Sequence, residues 1–295
     1  MSGWYAGKLI EHPYSKIPPI LVSGVGRSGT TALRLSLGLH PEIVYNMAEN
    51  NIVMDLLATG LRNCTYPSRK ASMQMSQRRY DKTFRSILLS VLFPRPALFS
   101  PLPKAWMAHS DITLPLAGYL KQLFPALRIV YIVRNGIEVV SSRMLFEGFK
   151  DRPFEWQCQV WAKAAEMIRW GTTQDHFFLI RHDDLLSQNT TKQVLDSLWT
   201  FLGLKPEQRC AVALRNQSYH PTKSPAEAAA VADDLQTRVQ RWRFWSEAER
   251  QCFTEHCAEA MTFLGYDLPW RSGQQTSHPQ PSPSPKDTDP YQRLF

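Results

Sequence analysis

Residues 20–31 carry the strongest chemical signal in the chain. They read ILVSGVGRSGTT, so the stretch from Gly24 to Gly29 has the form G-x-x-x-x-G, and two hydroxyl residues, Thr30 and Thr31, follow it. A glycine-rich loop that opens a helix presents backbone N–H groups to a phosphate or sulfate group. A nucleotide triphosphatase would carry a lysine at position 30 to reach the β- and γ-phosphates. The loop is therefore predicted to bind one phosphate-like anion, with Arg27 beside it.

The sequence of this glycine loop is also compatible with other functions. The residues from Gly24 to Gly29 also match the dinucleotide fingerprint G-x-G-x-x-G, and Glu49 follows at about the distance where such proteins carry an acid for the ribose. A Rossmann-type enzyme explains neither the arginine nor the paired threonines of the loop. A kinase or NTPase is disfavoured, because Arg134 follows the strand predicted at 128–133, where Walker-B chemistry needs an acid. A glycine turn without a ligand is the remaining alternative.

The segments around the loop alternate between strands and helices. Short apolar runs at 20–23, 128–133 and 177–180 predict buried strands, and a further apolar piece lies at 43–45. The run RIVYIV at 128–133 is typical of a parallel sheet covered on both faces. Helices are predicted over residues 31–39, most of 51–125, 137–146, 154–170, 190–202, and from a capping box at Ser246 and Glu249 to Leu264. This alternation predicts a single α/β domain with a parallel sheet over residues 1–271. The Pro- and Ser-rich residues 272–295 are predicted to be a disordered tail.

The composition limits the classes of protein that the chain can belong to. With 43% hydrophobic and 20% charged residues in 295, it is typical of a soluble globular protein. The longest apolar run, at 86–93, is too short to span a bilayer, and the N-terminus does not resemble a secretory signal. Five cysteines without a CxxC pair indicate reduced thiols and no zinc site. We therefore expect a cytoplasmic protein.

The net charge of +8 favours anionic partners. Lysine and arginine are concentrated in the segment 61–110, which holds Asp81 as its only acid. This segment is interpreted either as a solvated helical face or as an electropositive wall near an anionic ligand. Nucleic acid is a third candidate partner, but no base-stacking motif or zinc-finger spacing accompanies the charge, so no nucleic-acid partner is expected.

Two segments resemble the signatures of the sulfotransferases that use PAPS (3′-phosphoadenosine 5′-phosphosulfate) as donor and release PAP (3′-phosphoadenosine 5′-phosphate). PPILVSGVGRSGTTALRLSLGLHPEI looks like their 5′-phosphosulfate loop, close to the tyrosylprotein and bacterial "PRSGTT" branch, and RIVYIVRNGIEVVSSR resembles their 3′-phosphate segment. The resemblance spans roughly residues 18 to 265. It implies a P-loop-like three-layer α/β/α fold with a central parallel sheet, PAPS as donor and PAP as product. The donor-binding residues that it implies in these two segments are Gly26, Arg27, Ser28, Gly29, Thr30, Thr31, Arg134 and Ser142.

Two further segments match with less weight, and two positions depart from the pattern. FFLIRHDDLL resembles a stretch of the family in which a tyrosine lies near the adenine, and His182 replaces that tyrosine here. RVQRWRFWSEAE resembles the region that closes over the donor, which implies a donor contact for Arg241. Gly136 stands where relatives carry the proline of "RDP" or "RNP". The family's "KTP" appears as Lys104-Ala105-Trp106, which weakens the resemblance at this segment.

Sulfuryl transfer needs an in-line nucleophile, stabilisation of spread charge and a base for the acceptor proton. Arg27 is expected at the sulfuryl or bridging oxygen, and Lys104 could assist the leaving phosphate. The resemblance implies Glu49 as the general base, because the tyrosylprotein branch carries a glutamate there in "GEET", with spacing that differs by about one residue. His109 is the rival base. No metal is expected. The acceptor is expected to be a small-molecule hydroxyl or amine, with peptide tyrosine, lipid and sugar left open.

Overall fold

The computed structural model describes residues 11–45, 51–66, 75–94, 103–185, 188–217 and 241–270. These residues form two compact units, one made of 11–134 with 167–217 and the other of 135–166 with 241–270. The prediction of a single domain over residues 1–271 stays a prediction. The tail predicted at 272–295 lies outside the described residues.

The first unit is built on a sheet of five parallel strands. The strands are β1 Pro19–Ser23, β2 Ile43–Tyr45, β3 Ala105–His109, β4 Arg128–Val133 and β5 Phe177–Arg181. Their order is β2-β3-β1-β4-β5, so β1 lies in the centre between β3 and β4. In this register Val22 of β1 stands beside His109 of β3 and Val130 of β4. The predicted α/β fold with a central parallel sheet is therefore confirmed.

Nine α-helices lie in the part of the chain that the structure describes. The first unit contains α1 Thr30–Leu37, α2 Asn51–Thr65, α3 Gln77–Leu92, α4 Leu114–Leu123, α7 Gln188–Leu202 and α8 Gln208–Gln217, and the second contains α5 Gly136–Met144 and α9 Glu247–Phe263. Helix α6, Phe154–Gly171, has residues in both units. None of these helices combines the length and the apolar character that a membrane span requires.

Helices cover both faces of the sheet. On one face, buried residues of the strands pack against Leu33 of α1, Leu198 of α7 and Leu214 of α8. On the other face, Leu57 of α2 and Leu88 of α3 line a narrow apolar cavity, together with residues of α4, β1 and β3. Burial on both faces explains why the strands read as continuous apolar runs rather than as alternating patterns.

Strand β3 was not predicted, because the sequence pattern assigned residues 51–125 mainly to helices. That stretch does contain α2, α3 and α4. The β3 sequence AWMAH lacks the β-branched residues that usually mark a strand. All five of its residues are buried, and β3 pairs with β1 and β2 on its two sides. Tertiary pairing, not local propensity, makes this segment a strand.

The second unit has an aromatic and aliphatic core between α6 and α9. Trp161 of α6 stacks on Phe253 of α9 with ring centroids 6.3 Å apart. The predicted capping box is present, since Ser246 and Glu249 each accept a backbone N–H of the other. A Cβ placed on Gly136 would lie 2.8 Å from the Trp161 ring. Glycine therefore suits this position because the indole covers the start of α5.

A buried arginine holds the segment between α5 and α6. Arg143 is 2% exposed, and its guanidinium carbon lies 3.9 Å from the centroid of the Phe149 ring. Its Nε donates to Oε1 of Gln157 at 2.6 Å, and Nε2 of Gln157 donates to the carbonyl of Phe149 at 2.7 Å. The arginine thus replaces part of its lost hydration with a neutral acceptor and an aromatic face.

Candidate active site

The sequence-predicted residues gather at the carboxyl edge of the sheet. Gly24 follows β1, Arg134 follows β4 and His182 follows β5, while His109 ends β3. Because the strands are parallel, these ends lie at the same edge. The chain leaves β1 toward β2 and later returns to the other side of β1 as β4, which makes this edge the switch point where open α/β sheets bind ligands.

The glycine loop takes a backbone path that side chains would block. Gly24 and Gly29 have φ angles of 150° and 101°. A Cβ on Gly24 would overlap the carbonyl oxygen of Ile132 in β4. The backbone N–H of Ser28 donates to the carbonyl of Val25 at 3.0 Å and closes the turn. Glycine is thus required at position 24 by the close approach of two backbones.

The glycine loop leads directly into the N-terminus of α1. Gly29 is the N-cap residue and has no side chain to accept a hydrogen bond from the first-turn amides. Ser28 and Thr30 are buried, whereas Thr31 is exposed. Amides at a helix start that lack a cap are satisfied by water or by an anion, and the helix dipole favours the anion. The loop and the first turn of α1 therefore form a site that fits a sulfate or phosphate group.

Arg27 is held in the left-handed region with φ 81°, the one non-glycine residue with positive φ in the described part of the chain. This conformation costs an L-residue about 1–2 kcal/mol. Such local strain is concentrated at ligand clamps and active sites. The side chain is partly exposed, as a group that contacts a bound anion must be.

His182 packs against the glycine loop. A Cβ on Gly29 would lie 3.0 Å from Cδ2 of His182. Burial, and secondly the charge of Arg134, lower the pKa of His182 to about 4, so the imidazole is neutral at neutral pH. Its Nδ1 is buried and has no hydrogen-bond partner among the described residues. The structure thus brings together three predicted donor-binding residues, Gly29, Arg134 and His182.

Other predicted donor contacts stay predictions. Ser142 lies in α5 of the second unit and is partly exposed. Arg241 begins a 3-10 helix, Arg241–Phe244, and its side chain lies outside the described residues. Glu49, the predicted base, also lies outside them.

Lys104 does not occupy a position that suits its predicted role. It precedes β3, so it stands at the amino edge of the sheet, five residues before His109 at the carboxyl edge. Five residues of strand span about 16 Å. The Nζ of Lys104 instead pairs with Oε1 of Glu42 at 2.7 Å, and this pairing lowers the pKa of Glu42. The prediction that Lys104 assists the leaving phosphate is therefore corrected, because the unpredicted strand β3 carries the lysine away from the loop.

His109, the predicted rival base, is enclosed. It is 3% exposed, and no described residue makes a hydrogen bond to either ring nitrogen. Burial, and secondly the charge of Arg34, lower its pKa to about 4. Arg34 is itself fixed by Tyr45, whose hydroxyl accepts from Nη1 at 2.6 Å. His109 is thus a neutral group that lines the apolar cavity beneath the edge, and its role as base stays a prediction.

One acidic residue at this edge was missed by the sequence prediction. The exposed Asp111 follows β3 by two residues, and its neighbours are bonded to the end of β1. The N–H of Ser110 donates to the carbonyl of Val22, and the N–H of Ile112 donates to Oγ of Ser23, both at 3.2 Å. Recognition of β3 as a strand is the signal that would have placed Asp111 beside the glycine loop.

Part of the basic segment 61–110 has structural contacts. Lys82 pairs with Glu11 at 3.3 Å, and Nη1 of Arg85 donates to the carbonyl of Leu123 at 3.3 Å. Together with the pair of Lys104 and Glu42, these contacts favour a surface that stabilises the fold over a wall around the ligand. Among the residues that the structure describes, no group of three or more His, Cys, Asp or Glu side chains is placed to hold a metal ion.

Comparison with solved structures identifies the fold. The chain resembles the sulfotransferase domain of the Synechococcus PCC 7002 olefin synthase with a TM-score of 0.52 and 18% identity, over 86% of this chain and 95% of that one. The sulfotransferase domain from the curacin biosynthetic pathway gives a TM-score of 0.50 at 18% identity, over 86% and 98%. At this identity the likeness concerns the fold alone.

Comparison with known sequences identifies the family. Chicken (Gallus gallus) protein-tyrosine sulfotransferase 2 is 28% identical over 170 residues, which are 54% of this chain and 44% of that protein. The Drosophila melanogaster protein-tyrosine sulfotransferase is 25% identical over 158 residues, 52% of this chain and 31% of that protein. The chain thus spans less than half the length of these relatives. The model of the sulfotransferase family matches residues 18–208, and the chain belongs to this family.

Proposed function

We propose that the protein transfers the sulfuryl group of PAPS to a hydroxyl group of an acceptor. Membership of the sulfotransferase family supports this reaction. The observation that carries it is the glycine loop, which has no lysine at position 30 and which packs against His182 beside Arg134. A donor with one 5′-phosphosulfate needs no lysine for a γ-phosphate, and its 3′-phosphate needs a second cation elsewhere. The loop and Arg134 meet both requirements.

The residues at this site would bind different parts of the donor. The amides of Gly29 to Thr31 and the side chain of Arg27 bind the 5′-phosphosulfate. Arg134 offers its guanidinium fork to the 3′-phosphate. His182 is neutral, and its Nδ1 has no hydrogen-bond partner among the described residues, so it would hydrogen-bond the adenosine of a bound donor without adding charge. When bound, PAPS supplies a sulfuryl group joined to a good leaving phosphate.

The chain accelerates the reaction by position and electrostatics. The loop amides and Arg27 stabilise the charge that spreads over the sulfuryl oxygens. In the loop, Gly24 lies against the backbone of β4 and Gly29 lies against His182. This packing keeps the donors of the loop oriented, so little reorganisation is needed when the acceptor oxygen approaches in line. A base at the carboxyl edge removes the acceptor proton.

A phenolic hydroxyl is the acceptor that we propose. The curated relatives are named for protein tyrosine, whose reactive group is a phenol. A small phenol and a tyrosine side chain in a peptide present the same group, so the small-molecule acceptor predicted from the sequence is compatible with this proposal.

A transfer assay tests the proposal. The protein is incubated with PAPS labelled in its sulfuryl group and with phenol, 4-nitrophenol, a tyrosine-containing peptide, an aliphatic alcohol and an amine in parallel. We expect label on the phenolic acceptors and stoichiometric release of PAP. Parallel reactions contain ATP labelled in the γ-phosphate, or NADP⁺. Phosphate transfer, or reduction of NADP⁺ by the alcohol or the amine, without sulfuryl transfer would overturn the proposal in favour of a kinase or a dehydrogenase.

A further inference from the structure

Asp111 is tied to the strand that leads into the glycine loop. The backbone groups on its two sides are bonded to Val22 and Ser23, the last two residues of β1. The loop begins at the next residue, Gly24. The backbone on both sides of Asp111 is therefore held by the same strand end that leads into the loop.

The charge of Asp111 acts on the other side of β1 as well. Burial, and secondly the charge of Asp111, raise the pKa of Tyr131 in β4. In the register of the sheet, Tyr131 stands beside Ser23. The carboxylate thus lies near the ends of both strands that flank the loop, since Gly24 is also wedged against β4.

The other groups at this edge are less suited to take a proton from an acceptor. His109 is 3% exposed and lies beneath the edge, so an acceptor molecule cannot reach it without rearrangement. Asp183 and Asp184 follow β5, which is separated from β1 by β4. Asp111 alone among these combines an exposed carboxylate with attachment to β1.

We propose that Asp111 is the general base that deprotonates the acceptor hydroxyl, a role that rests on the proposed sulfuryl transfer. The acceptor oxygen forms a bond to sulfur while the bond from sulfur to the bridging oxygen of PAPS breaks. The electron pair of that bond stays on the 5′-phosphate of PAP, and the acceptor proton goes to the carboxylate of Asp111. The reaction needs no further reactant. Asp111 and Glu49 are alternatives for the same role.

The test compares two acceptors of different acidity. At about pH 8 phenol is mostly protonated, whereas 4-nitrophenol is largely ionised and needs no base. We expect Asp111→Asn to lower kcat with phenol by about 10²–10⁴-fold and with 4-nitrophenol by less than about tenfold. Asp111→Glu should retain part of the phenol activity. Affinity for PAP should not change. If the wild type sulfates neither phenol, release of PAP from PAPS with water as acceptor is measured instead, with the same loss expected.

Two variants serve as comparisons. Asp196→Asn removes an exposed carboxylate on α7 and should leave both activities unchanged. Glu49→Gln tests the rival base under identical conditions. Unchanged activity in Asp111→Asn, an equal loss with both phenols, or a phenol-selective loss in Glu49→Gln instead would each overturn the inference. Absence of both PAP binding and sulfuryl transfer in the wild type would refute the proposed function itself.

Discussion

A side chain at Gly29 would press against the imidazole of His182. A Cβ on Gly29 would lie 3.0 Å from Cδ2 of His182 and 3.2 Å from Cδ1 of Ile132, and φ of Gly29 is +101°. Steric contact and backbone conformation therefore both require glycine. At Gly29, the loop after β1 packs against Ile132 of β4 and against His182, the first residue after β5.

Replacement of Gly29 by alanine should damage both stability and donor binding. The left-handed backbone costs alanine about 1–2 kcal/mol, and the contact with His182 adds to this cost. We expect a lower free energy of unfolding in urea and weaker PAP binding by calorimetry. In the double variant Gly29→Ala/His182→Ala the contact with His182 disappears, but the contact with Ile132 and the backbone cost remain, so stability should recover only in part. Gly148→Ala, beside the exposed ring of Phe146, is the control and should change stability by less than about 0.5 kcal/mol. Wild-type stability in Gly29→Ala would contradict the loop geometry.

Arg27 should be a residue that costs stability and is needed for activity. Arg27→Ala and Arg27→Gly remove the same charge, but only glycine tolerates φ 81° without strain. We expect the glycine variant to be more stable than the alanine variant by up to about 1 kcal/mol, as measured by urea unfolding. Both should lose sulfuryl transfer by at least about tenfold, as one charge-assisted hydrogen bond predicts. Full activity in either variant would exclude Arg27 from the site.

The buried Arg143 should stabilise the second unit through its planar guanidinium. Arg143→Lys keeps the charge but loses the stacking on Phe149 and the bond from Nε to Gln157. We expect the free energy of unfolding to fall by about 1–3 kcal/mol. Arg152→Lys is the matched control, since Arg152 is exposed and lies over the Trp156 ring at 5.5 Å. An equal effect of the two substitutions would show that burial of Arg143 adds nothing.

Stability should decrease when the pH falls below about 6.5. The pKa values of His109 and His182 are lowered to about 4 in the folded protein, so between pH 6.5 and 4 the unfolded chain binds protons that the folded chain does not. Each such histidine contributes a slope of at most about 1.4 kcal/mol per pH unit. His176 acts in the same direction.

The pH dependence is measured by urea unfolding at several values between pH 7 and about 5, where carboxylates with the ordinary pKa stay ionised. His109→Gln removes one titrating group and should give a shallower slope than the wild type. An identical slope in the variant would mean that His109 is protonated in the folded protein as easily as in the unfolded chain.

Much of the fold follows from local sequence patterns. The apolar run at 128–133 predicted β4 to the residue, and the capping box at Ser246 predicted the start of α9. Strand β3 could not be predicted in this way, because Trp106 is its only strand-favouring residue and the segment is held by pairing with β1 and β2. Helix α8 also escaped prediction within a stretch of mixed composition.

The site residues that were predicted correctly and those that were not differ in the same way as the strands that carry them. The glycine loop, Arg134 and His182 lie at ends of strands that the sequence does indicate, and the structure brings them together. The incorrect role for Lys104 and the missed Asp111 both result from the missed β3, whose two ends carry these residues to opposite edges of the sheet. Ser142 and Arg241 remain predictions from the family resemblance.

The central claim is that this edge of the sheet binds a nucleotide with phosphates on both sides of one adenosine. Titration calorimetry with PAP and with 5′-AMP, which lacks the 3′-phosphate, measures this claim most directly. We predict that the wild type binds PAP at least about tenfold more tightly than AMP, since a charged hydrogen bond contributes about 1.5–3 kcal/mol. In Arg134→Ala this preference should disappear, whereas Arg209→Ala, an exposed arginine paired with Glu207, should keep it. Equal affinity of the wild type for the two nucleotides, or an unchanged preference in Arg134→Ala, would contradict the account.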